Sequence, residues 1–375
     1  MSKIWLTADT HIFARTPTPD KPPRSDIRCI LETEAILDCF LHAFCTDTDA
    51  EILLIAGDLT DNGHAAEHKA LLPKLRSIKA AGKRVIVITA THDYGQTHIT
   101  EQNDSGTPPL SRPDGKVYRH EMHELYKDFG FNEAIADYPA DPNTYAVQLL
   151  PNLRLLCLND DGDGHEYCGY SPAQLDWICT QIRNAKEENQ YIFAMTHHPT
   201  LPPAWIYPKV SHRDMLGGYE TTPAVLADTG LHLMFSGHAH MHNIARIKTK
   251  AGNRYADINT ASLVGWPGLY RELTFSDGVM QIRSRTVPSP YDGAYLRSVY
   301  EKDLRAVLDA AAHDYERFAG MLGGFSVTPE RARKLKPLLY PLGKLIGSKA
   351  GTELFLRTIR NIWCGKHDLE TIIQL

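Results

Sequence analysis

Short apolar runs along the chain repeatedly end on an aspartate or a histidine. Lys3–Thr7 leads into Asp9 and His11, Glu51–Ala56 into Asp58, and Arg84–Thr89 into His92 and Asp93. Leu153–Leu158 leads into Asn159 and Asp160, Tyr191–Met195 into His197 and His198, and Leu231–Phe235 into His238 and His240. The runs are about five or six residues long and apolar throughout, not alternating, which predicts strands buried on both faces. Between them the apolar period lengthens. Ile27, Ile30, Leu31, Leu37, Phe40, Leu41 and Phe44 recur at helical spacing. Ser171-Pro172-Ala173-Gln174 reads as a capping box with proline at the first helical position, opening a helix through Trp177 and Ile182. Thr222-Pro223 opens another short helix. Strand–helix alternation predicts an α/β architecture with sheets covered by helices. In such sheets ligands bind beyond the carboxyl ends of the strands, where the Asp and His residues fall.

From Ile244 the pattern changes. Ile244–Lys248 and Tyr255–Ile258 flank a turn, and Glu272–Phe275 and Val279–Ile282 flank an Asp277-Gly278 turn, so both pairs read as hairpins. Beyond about residue 290 the stripe Leu296, Val299, Tyr300, Leu304, Val307, Leu308 and Ala311 predicts an amphipathic helix, and Thr328-Pro329-Glu330 opens a second. The chain is expected to divide into a catalytic unit, 1–290, and a C-terminal helical extension, 291–375. Within the first, 94–141 is polar and poorly periodic and reads as a loop-rich insertion over the site. Thr16–Pro23 and Pro108–Pro113 are proline-rich loops.

The composition is that of an ordinary globular protein: 375 residues, 43% hydrophobic and 23% charged. A net charge of −5 gives no basic face for nucleic acid, so none is expected as a partner. The seven cysteines are odd in number and lack C-x-x-C spacing, which suits reduced thiols in a cytoplasmic protein. No leader-like segment and no membrane-length apolar run is seen. The 18 histidines are the outlier, and they direct attention to ligand spacing.

Asp9 and His11 stand two apart, and in an extended backbone both would point the same way and grip one ion. His238 and His240 repeat that spacing, His197 adds an imidazole, and the Asp58 carboxylate can bridge two ions. Singly, each has a plainer reading: an aspartate after a strand caps a helix, and a histidine sits on the surface. Taken together, carboxylate and imidazole without thiolate suit Mn²⁺, Fe²⁺ or Zn²⁺. His198 follows His197 and should point elsewhere. Asp61 reads as a turn-capping residue and Asp160 as structural, while Arg112, Lys116 and Arg119 read as a solvated loop.

The blocks Asp9-Thr10-His11, Gly57-Asp58-Leu59-Thr60-Asp61, Ala90-Thr91-His92-Asp93, His197 and Gly237-His238-Ala239-His240 stand in the order D-x-H, G-D-x-x-D, G-N-H-[DE], H, G-H-x-H. In this the chain resembles the calcineurin-like metallophosphoesterases over roughly residues 3–285. The stretch Gly169–Trp177 is similar to one in the cyclic-nucleotide phosphodiesterase and purple acid phosphatase branch, but the tyrosine ligand of a coloured ferric site is missing. The resemblance implies a four-layer α/β/β/α sandwich and a dinuclear centre of two divalent metal ions with a bridging hydroxide. Asp9, His11, Asp58 and His240 would hold one ion, and Asp58, His197 and His238 the other. His92 would be the general acid, oriented by Asp93. The family's asparagine ligand is replaced by Thr91, whose shorter, weaker arm implies looser hold on the second ion. The implied activity is hydrolysis of a phosphodiester or phosphomonoester of a small molecule. A catalytically weakened binding or scaffold protein of the same fold, and a nuclease of the same family, are the alternatives. A homodimer through the C-terminal helices is the expected assembly.

Overall fold

The computed structural model of the chain describes residues 3–14, 28–95, 115–161, 168–321 and 329–375. The proline-rich Thr16–Pro23 and Pro108–Pro113, together with Ile27, Arg112 and Thr328, lie outside these. Thirteen strands are described: β1 (Lys3–Thr7), β2 (Ala50–Ala56), β3 (Arg84–Ile88), β4 (Ala134–Asp137), β5 (Tyr145–Leu150), β6 (Leu153–Cys157), β7 (Tyr191–Met195), β8 (Leu233–Ser236), β9 (Asn243–Lys248), β10 (Arg254–Asn259), β11 (Leu269–Ser276), β12 (Val279–Thr286) and β13 (Glu370–Gln374). They form a six-stranded sheet, β13-β12-β11-β1-β2-β3, and a seven-stranded sheet, β4-β5-β6-β7-β8-β10-β9. β1, β2 and β3 run parallel, as do β6, β7, β8 and β10, so these strands end on one rim.

Period-two alternation explains the double burial. Leu155, Cys157, Phe193, Met195, Leu233 and Phe235 join the first sheet's Ile4, Leu54 and Val87 in one core between the sheets. Their neighbours Leu156, Ala194 and Met234 face the other way, onto Ile178, Ile182 and Leu226 of the helices Pro172–Glu187 and Thr222–Thr229. Each fully buried side chain contributes about 1.5–3 kcal/mol, and a cut such as Phe193→Ala would remove about 3–5 kcal/mol. The helices Thr33–Thr46 and Ala65–Ala80 cover the first sheet. The result is two sheets face to face with helices outside, the four-layer sandwich.

Three readings need correction. Ser171 Oγ accepts from Gln174 N at 3.1 Å, but the Gln174 amide turns inward to Thr144 Oγ1 and Asn159 O, so the cap is one-sided and not a box. The insertion carries β4, an edge strand paired to β5, and Arg119 is part-buried, bonding Asp141 and Asn159 Oδ1; it is a clamp between segments, not a solvated loop. The segment beyond 290 is helical over Gly293–His313, Tyr315–Met321, Pro329–Lys334, Lys336–Ile346 and Lys349–Trp363, then returns as β13 to pair with β12. Among the described residues no helix is long and apolar enough to cross a membrane.

Candidate metal centre

The parallel strands deliver the predicted residues to one rim, and the turns that follow them are unusual. Asp9, His11, Asp58, His238 and His240 all have positive φ, between 38° and 59°. Non-glycine residues adopt this left-handed conformation at a local energetic cost, so its concentration here marks backbone shaped for a site. The extended backbone expected for the two D-x-H-type pairs is therefore not what aims them; left-handed turns do. Two glycines make room. A Cβ on Gly57 would stand 2.5 Å from His197 Nδ1, and one on Gly237 would stand 2.5 Å from Asp9 Oδ2.

Two triads result. Asp9, His11 and His240 each offer an atom within 4.8 Å of the others, as do Asp58, His197 and His238. His11 Nε2 faces His240 Nε2 at 3.1 Å, and Asp9 Oδ1 lies 3.3 Å from His240 Nε2 and 3.7 Å from His11 Nε2. Ligands sharing one ion at about 2.0–2.2 Å stand roughly 3 Å apart, so these separations are those of a coordination shell. Asp58 joins the halves: its Oδ2 lies 3.0 Å from His197 Nε2 and 3.8 Å from His11 Nε2.

Electrostatics support the same use. Burial opposes a charge on His197, yet Asp58 and Asp9 raise its pKa to about 10. Burial works to raise the Asp9 carboxyl, but His240 and His11 hold it well below the usual range. The carboxylates that favour this proton on His197 would equally draw a divalent ion, which would take the proton's place at Nε2. His197 Nδ1 meets Ala56 O at 2.9 Å, which places the proton there and turns Nε2 inward. That Nε2 is buried and makes no hydrogen bond; the Asp58 oxygen beside it is an ion contact without hydrogen-bond alignment. His11 is pushed down to about 3 by burial and Arg28, and His238 to about 4 by burial and His198, leaving both rings neutral, as ligands must be. The donor set fits two divalent ions.

His92 sits in the turn Thr91–Asp93. Its N–H donates to Asp58 Oδ1 at 3.1 Å, and its Nδ1 lies 2.5 Å from Asp61 O. Asp93 does not orient that ring. Adjacent side chains in a tight 3₁₀ turn diverge, and the Asp93 carboxylate instead accepts from Ala90 N (2.9 Å), Thr60 N (2.8 Å) and Thr60 Oγ1 (3.2 Å). Burial and the Asp58 charge push it up to about 8. Asp93 shapes the turn; Asp61, through its carbonyl, orients the imidazole.

Residues outside the motif blocks also shape the rim, among them Asp160, in keeping with its structural reading, and two that sequence reasoning missed, Asp214 and Arg28. Asp160 Oδ2 accepts from Thr196 Oγ1, His197 N and His198 N at 2.7, 3.1 and 2.7 Å, and Oδ1 meets His198 Nδ1 at 2.9 Å. It holds the backbone carrying His197, and its place at a strand end was the available signal. Asp214 Oδ1 lies 3.9 Å from His238 Nε2. Arg28 Nη1 lies 2.9 Å from both Asp61 Oδ1 and His11 Nδ1, and no pattern in the sequence marks it.

Residues 2–242 match the calcineurin-like phosphoesterase family. No curated protein matches the chain. Among solved structures, a dimetal phosphatase from Danio rerio is similar with a TM-score of 0.51 at 15% identity, over 76% of this chain and 96% of that one. A purple acid phosphatase from yellow lupin, Lupinus luteus, is similar with a TM-score of 0.47 at 10% identity, over 78% of this chain and 52% of that one. The ordered motif blocks, the rim on which they meet and the family match over most of the chain agree: the chain belongs to the calcineurin-like phosphoesterases and is a phosphoester hydrolase.

Proposed function

We propose that the chain hydrolyses a phosphodiester or phosphomonoester of a small molecule, with His92 as proton donor to the leaving oxygen. The observation that carries this reading is the position of Asp58. One carboxylate reaches both triads and, through His92 N, fixes the turn of the acid. Asp9, His11 and His240 would hold one divalent ion and Asp58, His197 and His238 the other. Two bound divalent ions supply Lewis-acid neutralisation of the phosphate charge and acidify water. Asp61 O takes the Nδ1 proton of His92, so Nε2 is the nitrogen left to carry a proton to the ester oxygen. The net charge of −5 favours a small phosphoester over DNA.

Bis-p-nitrophenyl phosphate and p-nitrophenyl phosphate, each with added Mn²⁺, test the reading. His92→Ala should lower kcat by roughly 10²- to 10⁴-fold, with ion content unchanged. The loss should be smaller on p-nitrophenyl esters than on esters of poor leaving groups, which need protonation more. Ion-loaded wild type that turns over neither ester would overturn this substrate reading.

A further inference from the structure

β9 closes one edge of the seven-stranded sheet and β13 one edge of the six-stranded sheet, and the two edges lie side by side. Near the rim they are tied: Asp368 Oδ1 accepts from Ile244 N at 2.9 Å, and Arg246 bonds Thr371 Oγ1. Further along lies a groove of about 370 Å³, a volume that suits a small ligand. Ala256 and Ile373 give it apolar walls, Arg246, Lys248 and Arg254 give it charge, and His232 adds a ring. By period-two alternation Arg246 and Lys248 share the face of Ile244, and Arg254 that of Ala256, the face turned to the first sheet. Lys248 and Arg254 are direct cross-strand partners, with Arg246 opposite Ala256 next along. Like charges set directly opposite on an antiparallel pair repel. No carboxylate offsets that repulsion. Among the described residues no Asp or Glu lines the groove and none pairs with these three cations, whose one side-chain bond is to Thr371. The groove is also remote from the metal ligands. Arg254 opens β10, whose far end, Asn259, donates to Gly237 O beside His238, and the rise from 254 to 259 is roughly 16 Å.

We propose that this groove is a second ligand site and that it takes a small organic anion. An acidic headgroup (sulfonate, carboxylate or phosphate) sits between Lys248 and Arg254, and an apolar body lies against Ala256 and Ile373. The headgroup supplies the negative charge that the cross-strand pair lacks. The body covers apolar surface that the two edges leave open, which sets the ligand apart from a bare inorganic anion.

The probe is 8-anilinonaphthalene-1-sulfonate, which has both parts and reports its own burial by fluorescence. The full chain should bind the dye, and inorganic sulfate should compete at least tenfold more weakly than the dye itself binds. Lys248→Gln with Arg254→Gln should weaken the dye at least tenfold, yet melt no lower than wild type without ligand, because a repulsion is gone. Lys248→Glu, which gives Arg254 an opposite charge as partner, should abolish dye binding and raise the Tm. Each single glutamine variant repeats the measurement should the double variant fail to fold. Binding should be the same with Mn²⁺ loaded or removed by chelator, and p-nitrophenyl phosphate should not displace the dye, so this inference and the hydrolase reading can fail separately. Dye bound equally by wild type and the folded variants, or driven off by the phosphoester, would overturn the proposal. A wild-type dimer that excludes the dye and separates in Lys248→Glu would assign the groove to a second copy of the chain and overturn it too.

Discussion

The two halves of the candidate ligand set are braced by different parts of the chain. Asp58, His197 and His238 are supported from nearby: the Ala56 carbonyl on His197 Nδ1, and the Asp160 carboxylate on three donors of the Thr196–His198 stretch. Asp9, His11 and His240 are supported from afar. Arg28 contacts His11, and Trp363, at the end of the last helix, donates Nε1–H to His240 O at 2.7 Å. One half thus depends on a buried charge built into the second sheet's rim. The other depends on whether distant segments dock. None of the five motif blocks contains these braces, so ligand identity and ligand placement are separable properties of this chain.

The largest blow to the comparison is to remove what the halves share. Asp58→Ala deletes a carboxylate facing both triads, and the buried His197 loses its nearest counter-charge. Both halves should empty together, with activity falling by more than about 10³-fold, since a centre that binds no ion supplies none of its chemistry. Metal analysis beside turnover checks this. Loss of one ion alone would show that the halves load independently and that Asp58 belongs to only one.

Asp160→Asn should break one half only. The carboxylate takes three donors on one oxygen and His198 on the other; an amide must turn an NH₂ towards one set. Burial tends to raise the Asp160 carboxyl, but His198 and His197 hold it down at about 2, so the group is an anion throughout the working range. Removing that charge should weaken the ion held by His197 by roughly 10- to 100-fold, as for other outer-shell partners. The ion held by His11 and His240 should stay within about threefold. Chelator competition resolves the two affinities; equal weakening of both would erase the distinction drawn here.

These braces also mark what the sequence made legible. The buried strands and the Asp and His residues at their ends could be read because uniform apolar runs ending in Asp or His are local signals; the four-layer order came from the family resemblance. β4 was missed because it is a four-residue, half-exposed edge strand, and β5 because its apolar run is neither followed by an Asp or His nor separated from β6 by more than Pro151-Asn152. β13 was missed because Glu370–Gln374 is half exposed and follows a helical stretch, so only its pairing with β12 defines it. The left-handed turns at Asp9, His11, Asp58, His238 and His240 run against local preference and are fixed by tertiary contacts, such as Asp9 accepting from His238 N across the rim. Arg28 and Trp363 act through distance in space alone. Asp160 was visible at a strand end, and only its donors, which a sequence does not display, separate a brace from a cap.

Thr91→Asn sharpens the same contrast with the opposite sign. Thr91 opens the turn whose His92 N–H rests on Asp58 Oδ1. An asparagine there offers a neutral carbonyl oxygen on a longer arm, a better ligand than a protonated hydroxyl. The ion of the His197 half should bind up to about tenfold more tightly, with the His240 half unmoved. Unchanged stoichiometry and affinity would mean that this half is already complete without the carbonyl.

Trp363→Phe is the smallest and most discriminating change. The aromatic ring that packs on Tyr300 at 5.2 Å is largely kept, and the backbone bond from His242 N to Trp363 O does not depend on the side chain. What disappears is one N–H donor, leaving His240 O unpaired at about 1 kcal/mol. If the tail merely caps the sandwich, that loss will appear in urea denaturation and nowhere else. If Trp363 sets the backbone of His240, part of it will reach the ion bound by Asp9, His11 and His240, a weakening of roughly two- to fivefold. The His197 half should be unaffected, and kcat at saturating metal should be near wild type. Trp363→Leu, which also removes the ring packing, should then lower stability further without weakening that ion in proportion. The ratio of ion affinity to global stability across the two variants, not either value alone, separates a tail that positions the centre from one that only covers it.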